Sequence, residues 1–322
     1  MTNKAEFYRV SDGRQIPATD ISVVGDYDSW AWQFSASVPR IADAEAVDGD
    51  EVAIIINGHE SRHLVDGWSD NLSWGQQSAT ITGRSLSAEL SSSLALTRSY
   101  TEPNQRLLSQ LAQQELPTGW VLDWQAADWL IPAGVWTYSN LAPIDAIAQL
   151  AEAAGAFILP DMATRKLTVL SKYPVAPWSL TAADVNISIP GAIMVTRGRQ
   201  PSRGQNADGV WISSAAGQLQ ALIRRQGTAG ANLLADVSNQ LITDVAGARA
   251  LGISLLAEGM SRSTDTIELP ISSDTGLIIP GRIVETPDGI GYARSLRQSA
   301  RMNDRTLVVR QTIEVERPRL EV

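Results

Sequence analysis

The chain has 322 residues, 44% of them hydrophobic, which leaves room for two or three folded domains and excludes a disordered chain. It has 26 basic and 35 acidic residues, a net charge of −9 and no dense basic cluster, so the composition argues against a surface that binds nucleic acid or an anionic membrane. It has no cysteine, which excludes disulfide bonds, thiol catalysis and thiolate metal sites.

The N-terminal segment MTNKAEFYRVSDGRQIP contains no apolar stretch of signal-peptide length. No other run approaches the roughly 18 apolar residues that a membrane span requires. We therefore expect a protein that is made in the cytoplasm and has no membrane anchor.

Residues 1–95 predict β-structure. Residues 29–38 alternate between apolar and small or polar side chains, which is typical of a half-buried strand. A hairpin is predicted next, because the apolar residues 52–56 lead into Asn57-Gly58, the pair that a type I′ turn favours. Another alternating strand follows at 78–82, and a small barrel or sandwich is the natural packing for these strands.

The string His59-Glu60-Ser61-Arg62-His63 matches a zinc metalloprotease motif, which needs a helix to place both imidazoles on one face. If Asn57-Gly58 forms the turn, the string is instead a return strand, and its histidines lie roughly 13 Å apart at about 3.3 Å per residue. Two nitrogens that each lie about 2 Å from one zinc ion cannot be so far apart. The chain has no third histidine, so the sequence predicts a hairpin here and no metal site.

Residues 101–175 predict a compact α+β module. Leucines at helical spacing indicate a helix at 103–115, and a second helix at 143–154 begins with Pro143 and ends before Gly155. Two short strands follow at 156–159 and 166–170.

From residue 186 onward the sequence again predicts mainly β-structure, with one helix at 244–258 that is rich in Ala and Leu. The predicted strands lie at 193–197, 210–213, 219–225, 266–271, 282–286, 292–297 and 306–315.

The two β regions share an order of signals. Gly49 and Gly281 each precede a strand, and the hairpin glycines Gly58 and Gly289 follow after nine and eight residues. A third strand begins 19 and 17 residues after those hairpin glycines. The order indicates a duplicated barrel, and two unrelated hairpin pairs remain the alternative.

No enzymatic motif stands out. Residues 289–294 lack the last glycine of a dinucleotide fingerprint, no phosphate-binding GxxxxGK[ST] string occurs, and the acidic run 43–51 lacks calcium-loop spacing. Asp26 and Asp28 are a pair of carboxylates of the kind that glycosidases use, but a surface loop explains them better. We therefore predict no catalytic, cofactor-binding or metal-binding residues, no cofactor and no enzymatic activity.

An ordered series of short motifs resembles the baseplate hub proteins of tailed bacteriophages, the group of late-control protein D and the hubs of Mu-like phages. The motifs are Gly49-Asp50-Glu51-Val52, Asp66-Gly67-Trp68, Ile81-Thr82-Gly83-Arg84-Ser85, Ala142-Pro143-Ile144-Asp145-Ala146-Ile147, Leu150-Ala151-Glu152-Ala153-Ala154-Gly155, Tyr173-Pro174-Val175 with Trp178, Ala248-Arg249-Ala250-Leu251-Gly252, Pro280-Gly281-Arg282-Ile283-Val284 and Val315-Glu316. Their order extends over nearly the whole chain.

The resemblance implies an α+β, mainly β chain with two similar small β-barrel (tail-tube-like) domains, at 1–100 and 186–322, and a central α+β module at 101–185. It also implies a homotrimer with pseudo-sixfold symmetry that joins the hexameric tail tube to the threefold tail tip and surrounds the channel through which DNA leaves. A duplicated domain in a closed trimer would meet both symmetries.

The resemblance implies partners as well. These are the tail tube or distal tail protein above, tail tip, fibre or spike proteins below and the tape measure protein, in a virion assembled in the host cytoplasm. No specific binding of nucleic acid is expected, and an acidic channel wall would repel DNA phosphates. The alternatives are a sixfold distal tail protein, a zinc metalloprotease with the His59–His63 string, and a carbohydrate-binding β module that uses some of the ten tryptophans.

Overall fold

The computed structural model describes residues 3–74, 76–214, 219–272 and 275–319. Over these residues the protein is mainly β, with shorter α-helical segments, so the predicted α+β, mainly β class is confirmed. The first part of the chain forms β1 (Ala5–Arg9), β2 (Asp20–Asp26), β3 (Gln33–Val38), α1 (Ile41–Glu45), β4 (Glu51–Ile56), β5 (His59–Ser73) and β6 (Gln76–Ser85).

The middle part contains short strands and two helices. Its elements are β7 (Arg98–Thr101), β8 (Arg106–Leu107), α2 (Leu108–Glu115), β9 (Val121–Trp124), β10 (Leu130–Ile131), β11 (Thr137–Leu141), α3 (Pro143–Ala153), β12 (Ala156–Pro160) and β13 (Lys166–Ser171). The last part forms β14 (Ile187–Ser188), β15 (Thr196–Ser202), β16 (Gly209–Ser213), β17 (Gln220–Arg224), β18 (Val237–Ser238), α4 (Val245–Glu258), β19 (Arg262–Leu269), β20 (Ile283–Thr286), β21 (Gly289–Asn303) and β22 (Thr306–Pro318).

Several elements begin later than the sequence predicts. The strand predicted at 29–38 begins at Gln33, and the helix predicted at 103–115 begins at Leu108 because β8 pairs with β10 just before it. The strand predicted at 193–197 lies at Thr196–Ser202, after a single 3₁₀ turn. Whether a polar residue at the end of an element belongs to it depends on the neighbouring strand with which it pairs. Periodicity along the sequence does not show this pairing.

One large sheet contains strands from both ends of the chain. Among the described residues its order is β1-β4-β5-β6-β3-β2-β21-β22-β19-β15, with β20 and β14 attached beside β21. The two ends join where β2 pairs antiparallel with β21, from Asp20 opposite Arg301 to Asp26 opposite Ser295. Two similar small barrels were predicted, whereas in the described part of the chain strands from both ends form one sheet in which no closed barrel is found. Alternation in the sequence shows which face of a strand is buried and not which strand lies beside it, so it did not reveal this shared sheet.

The repeat seen in the sequence corresponds to a repeat in topology. The first repeat has the order β4-β5-β6-β3-β2 and the second has β20-β21-β22-β19-β15, all antiparallel. The long strands β5 and β21 have 15 residues each, and each carries a β-bulge, at Asp66 and at Arg294. The two repeats therefore correspond strand by strand.

In the described part of the chain, two large hydrophobic cores and a smaller third cluster around Tyr173 and Tyr292 lie under these sheets. The first is formed by the large sheet and includes Phe34, Ile81 and Ile313. The second is formed by α2, α3, β13 and β16 with part of α4, around the buried Trp136. Strand β12 lies between the cores, because Phe157 and Leu159 belong to the first and Ala156 and Ile158 to the second.

The predicted domain limits at 100/101 and 185/186 stay a prediction. Residues of β16 and α4, such as Ile212 and Leu256, pack in the same core as the middle part of the chain. Over the described ranges, no helix combines the length and the hydropathy that crossing a bilayer requires.

Candidate assembly surfaces

The His59–His63 string lies on a strand. Asn57 and Gly58 have positive φ, 49° and 87°, as a type I′ turn requires, and His59 and His63 pair with Ile56 and Val52 across the β4–β5 ladder. The predicted hairpin is therefore confirmed, and the string lacks the helix that the zinc motif needs. Within the described residues, no three His, Cys, Asp or Glu side chains come together as a possible metal site.

His63 is part of the first core. Its ring lies 4.9 Å from the Phe34 ring, and Nε2 lies 3.0 Å from the Ser61 hydroxyl. Burial disfavours the charged imidazole and lowers the pKa of His63 to about 3. The side chain is therefore neutral and packs as an apolar group.

The carboxylates of Asp26 and Asp28 belong to one local turn. Asp26 accepts a hydrogen bond of 3.0 Å from the Asp28 backbone N–H, as aspartates at turns do. Burial raises the pKa of Asp28 above its ordinary value.

The exposed face of β2, β3, β6 and β21 is polar. It contains a shallow depression of about 490 Å³ whose lining is rich in serine and threonine. Alternate side chains of the same strands point to the other face, where Ile21, Val23, Phe34, Ala36, Ile81 and Leu296 are buried. We call the exposed side the polar face, and its outward residues include Ser22, Gln33, Ser35, Ser37, Thr80, Thr82 and Ser299.

Charges on the polar face occur largely in pairs. Arg84 makes two hydrogen bonds of 2.8 Å to the Asp66 carboxylate, and Arg297 donates to the Ser22 hydroxyl at 3.1 Å. Two longer pairs, both 3.7 Å, are Arg301 with Asp20 on this face and Arg310 with Glu268 on the adjoining strands β22 and β19. The acidic excess of the chain is therefore not concentrated on this face.

Over the described ranges, two long strand edges of the large sheet are open. Among the residues described, β15 pairs only with β19, and all seven of its residues are exposed. The Gly67–Ser73 half of β5 pairs only with β6, because β4 covers β5 no further than Leu64. The outer edge of β1 differs, since its own chain folds back on it: Ile16 N–H donates to Phe7 O at 2.8 Å.

Apolar side chains are exposed at these same two edges. Leu72 is 75% exposed, Trp74 is fully exposed, and Val195 is 50% exposed just before β15. Exposed apolar groups at an open strand edge are typical of a surface that another chain covers.

A buried arginine connects the second repeat to the middle of the chain. Arg294, at the bulge of β21, lies over the rings of Tyr27, Tyr173 and Tyr292 at 4.4 to 5.1 Å. It also pairs with Glu316 at 3.2 Å and donates to Lys172 O at 2.8 Å. Sequence reasoning missed both this cluster and the open edges, because each depends on pairing between distant parts of the chain.

The fold is one found in phage tail proteins and in a component of the type VI secretion system. A tail protein from Neisseria meningitidis superposes with a TM-score of 0.67 at 12% identity, over 98% of this chain and 97% of that one. The 43 kDa tail protein of prophage MuSo2 from Shewanella oneidensis gives 0.64 at 14% identity, over 98% and 97% of the two chains.

A third similar structure is the c3393 protein of E. coli, described as a type VI secretion component with structural similarity to the T4 tail proteins gp27 and gp5. Its TM-score is 0.58 at 11% identity, over 100% of this chain and 78% of that one. No protein family model matches the sequence, and no curated protein matches it either. The likeness at 11–14% identity therefore shows the fold.

Proposed function

We propose that the chain is a structural hub of a phage tail baseplate. In this proposal three copies form a ring with pseudo-sixfold symmetry, which joins the hexameric tail tube to the threefold tail tip and surrounds the DNA-exit channel. The observation that carries the proposal is the repeat of one five-strand order, β4-β5-β6-β3-β2 and β20-β21-β22-β19-β15, within one chain. A chain with two equivalent units can meet a sixfold neighbour on one side and a threefold neighbour on the other.

The polar face is the proposed wall of the channel. The sequence suggested an acidic wall, but the hydroxyl groups and arginine–carboxylate pairs of this face make it polar and charge-paired instead. Arginines that carboxylates already hold gain little by exchanging them for phosphate, so DNA would slide past with few counterions released.

The proposed partners follow from the position of a hub. The tail tube or a distal tail protein would bind one end of the ring, and tail tip, fibre or spike proteins the other, with the tape measure protein as a further candidate. The structural similarity of the type VI neighbour to the T4 tail proteins gp27 and gp5 is consistent with a place in a tail assembly.

The mass and shape of the purified oligomer test the proposal. We expect native mass spectrometry to give three times the chain mass, and negative-stain images to show a threefold ring with an axial hole. Six copies in a ring would support the distal tail protein instead. Stoichiometric zinc that is lost in His63→Ala would support the protease, and glycan binding by the purified chain would support the carbohydrate module.

A further inference from the structure

We infer that the two open edges of the large sheet pair with each other between copies of the chain: β15 (Thr196–Ser202) of one copy adds antiparallel to Gly67–Ser73 in β5 of the next. This pairing rests on the proposed hub only for the number of copies. Its partner is a second copy of this chain, and its geometry is copied from a junction that the chain already contains.

The internal junction supplies the template. There β2, the last strand of the first repeat, pairs with the Ser295–Arg301 part of β21 in the second repeat. The strand that corresponds to β2 in the second repeat is β15, and the strand that corresponds to β21 in the first repeat is β5. Applying the same junction once more therefore brings β15 to β5. Within the described residues of one chain these two strands do not pair with each other, so we place the pairing between two copies.

The ladders fix the correspondence residue by residue. In β5 the bulge lies directly before the open segment Gly67–Ser73, and in β21 it lies directly before the junction segment Ser295–Arg301. These two segments therefore correspond. Following the pairings through β6 and β3, and through β22 and β19, places Ser22 in the position of Gly198. The seven residues of β2 thus correspond to the seven residues of β15. One hydrogen bond supports the match, since Thr19 N–H to Ser37 O and Val195 N–H to Glu268 O are both 2.8 Å.

The register of the new ladder follows. Asp20 opposite Arg301 becomes Thr196 opposite Ser73, and Asp26 opposite Ser295 becomes Ser202 opposite Gly67. The full set of pairs is Thr196 with Ser73, Arg197 with Leu72, Gly198 with Asn71, Arg199 with Asp70, Gln200 with Ser69, Pro201 with Trp68 and Ser202 with Gly67. No like charges meet, and Arg199 lies opposite Asp70, a favourable cross-strand pair.

Burial differs between the two junctions as the inference requires. Leu296, Gln298 and Ala300 of β21 are at most 2% exposed under β2. Their counterparts in β5 are Trp68, Asp70 and Leu72, of which Leu72 is 75% exposed. The uncovered side chains of β5 thus occupy positions that are covered where the neighbouring strand is present.

The ends of the new ladder also fit. Met302 N–H donates to Thr19 O at 2.9 Å in the internal junction, and the corresponding bond runs from Trp74 N–H to Val195 O of the next copy. This contact would bring together the exposed Trp74, Leu72 and Val195, and burying them stabilises the junction. Pro201 stands where Gly25 stands in β2 and removes at most one N–H donor, which an edge strand tolerates.

Cysteine cross-linking tests the register, because the natural chain has no cysteine. The variant Ser69→Cys with Gln200→Cys places two outward side chains directly opposite each other across the inferred ladder, within disulfide reach. We expect mild oxidation to link chains into dimers and closed rings on a non-reducing gel. Each single-cysteine variant should remain unlinked at the same chain concentration.

Two matched double variants control the experiment. Val24→Cys with Arg297→Cys occupies the corresponding positions of the internal junction, where the two residues pair directly, and should link within one chain. Gln200→Cys with Asn71→Cys is displaced by two residues along the same face and should link much less than the pair in register. Hydrogen exchange at low and high chain concentration gives a second measurement, with protection expected at residues 67–74 and 196–202 on assembly.

The outcomes separate this inference from the proposed trimer. A trimer by mass in which Ser69→Cys/Gln200→Cys stays unlinked, with no protection at either edge, overturns the pairing and leaves the hub trimer in place. Linked chains that close into a ring of another number keep the pairing and overturn the trimer. A chain that remains monomeric and unlinked overturns both.

Discussion

At the scale of single residues, His63 and Arg294 show two ways to bury a basic group. His63 is buried as the neutral imidazole beside Phe34, whereas Arg294 stays charged because three aromatic rings and Glu316 surround it. Burial of the neutral His63 makes the stability of the fold depend on pH. Burial of the charged Arg294 makes the stability depend on this one side chain.

Because of His63, the stability of the fold should decrease as the pH is lowered. Its pKa is about 3 in the folded state, below the ordinary value of 6.5, so the unfolded chain binds the proton more readily, and stability is lost as pH falls from about 6.5 towards 3. Between pH 7 and pH 5 we expect a loss of about 2 kcal/mol from this residue.

Urea unfolding of the natural chain and of His63→Leu at both pH values measures this effect as a difference between the two proteins. An equal pH dependence in His63→Leu and the natural chain would contradict the argument.

Replacing Arg294 should destabilise the fold strongly. Arg294→Ala removes the partner of Glu316 and the cation beside the three tyrosines, and breaking a buried pair in this way costs about 3–5 kcal/mol. Chemical denaturation gives the value. Arg297→Ala, three residues further along the same strand and on the polar face, should change stability by less than about 0.5 kcal/mol, and similar losses in both variants would argue against a special role for Arg294.

At the scale of elements, close contacts between strands determine which residues can stand in the sheet. A Cβ atom on Gly83 would lie 2.0 Å from the Leu64 carbonyl oxygen and 2.4 Å from the Phe34 ring. Because the first obstacle is backbone, the β5–β6 ladder would have to shift.

We therefore expect Gly83→Ala to destabilise the chain by about 3 kcal/mol or more. Gly198→Ala serves as the control, since the nearest atom to its Cβ lies 4.0 Å away, and it should be nearly neutral. Thermal unfolding of the two variants makes the comparison, and a tolerated Gly83→Ala would show that β5 and β6 can separate locally.

The tip of the β5–β6 hairpin should matter for assembly and not for folding. Trp74→Ser removes a fully exposed side chain, so urea unfolding of the single chain should be unchanged, while association weakens by about 2 kcal/mol if Trp74 is buried between copies. Leu96→Ser, at a residue 92% exposed elsewhere, is the matched control. Analytical ultracentrifugation over a concentration series measures both, and equal association of the two variants would place Trp74 outside the interface.

The elements differ in how far the sequence predicts them. The hairpin of β4 and β5 was predictable because a type I′ turn needs positive φ at both central residues, which Asn57-Gly58 readily adopts, and because the β4 residues are apolar. Strand β15 was placed poorly because RGRQ and Pro201 show no alternation; its position depends on β19 and on ion pairs of Arg199 with Asp265 and Asp288. The paired residues of β2 and β21 are 269 to 281 positions apart in the sequence, so this pairing leaves no local signal, and both open edges of the candidate interface follow from it.

At the scale of the whole molecule, β12 makes the two cores one cooperative unit. Its side chains alternate between the cores, so neither core can open without exposing one face of this strand. We expect calorimetry to give one transition with equal calorimetric and van't Hoff enthalpies.

Two substitutions in β12 test this coupling. Phe157→Ala affects the first core and Ile158→Ala the second, and each should lower stability by about 2–5 kcal/mol while the protein still unfolds in one transition. Two resolved transitions, each sensitive to one of the substitutions, would show that the cores unfold independently.

The arginine–carboxylate pairs of the polar face lead to a prediction about DNA binding. The natural chain should not retain duplex DNA at physiological salt. The double variant Asp20→Asn/Asp66→Asn frees Arg301 and Arg84 and should bind DNA with an affinity that falls as salt rises. Glu45→Gln/Asp48→Asn makes the same change in charge beside α1, on the core side of the sheet, and should leave DNA unbound in a filter-binding assay.

The pairing of β2 with β21 also has a consequence for synthesis. A ribosome that adds about 5–20 residues per second completes β2 roughly fifteen seconds to a minute before β21 emerges. During that time the nascent first repeat lacks its permanent neighbour, and on a crowded polysome the β21 of another chain can take the vacant place. We therefore expect slow translation, or a chaperone that shields residues 20–26, to change the yield of chains in which β2 pairs with the β21 of the same chain. This effect on yield should be larger than the effect of the stability of the finished protein.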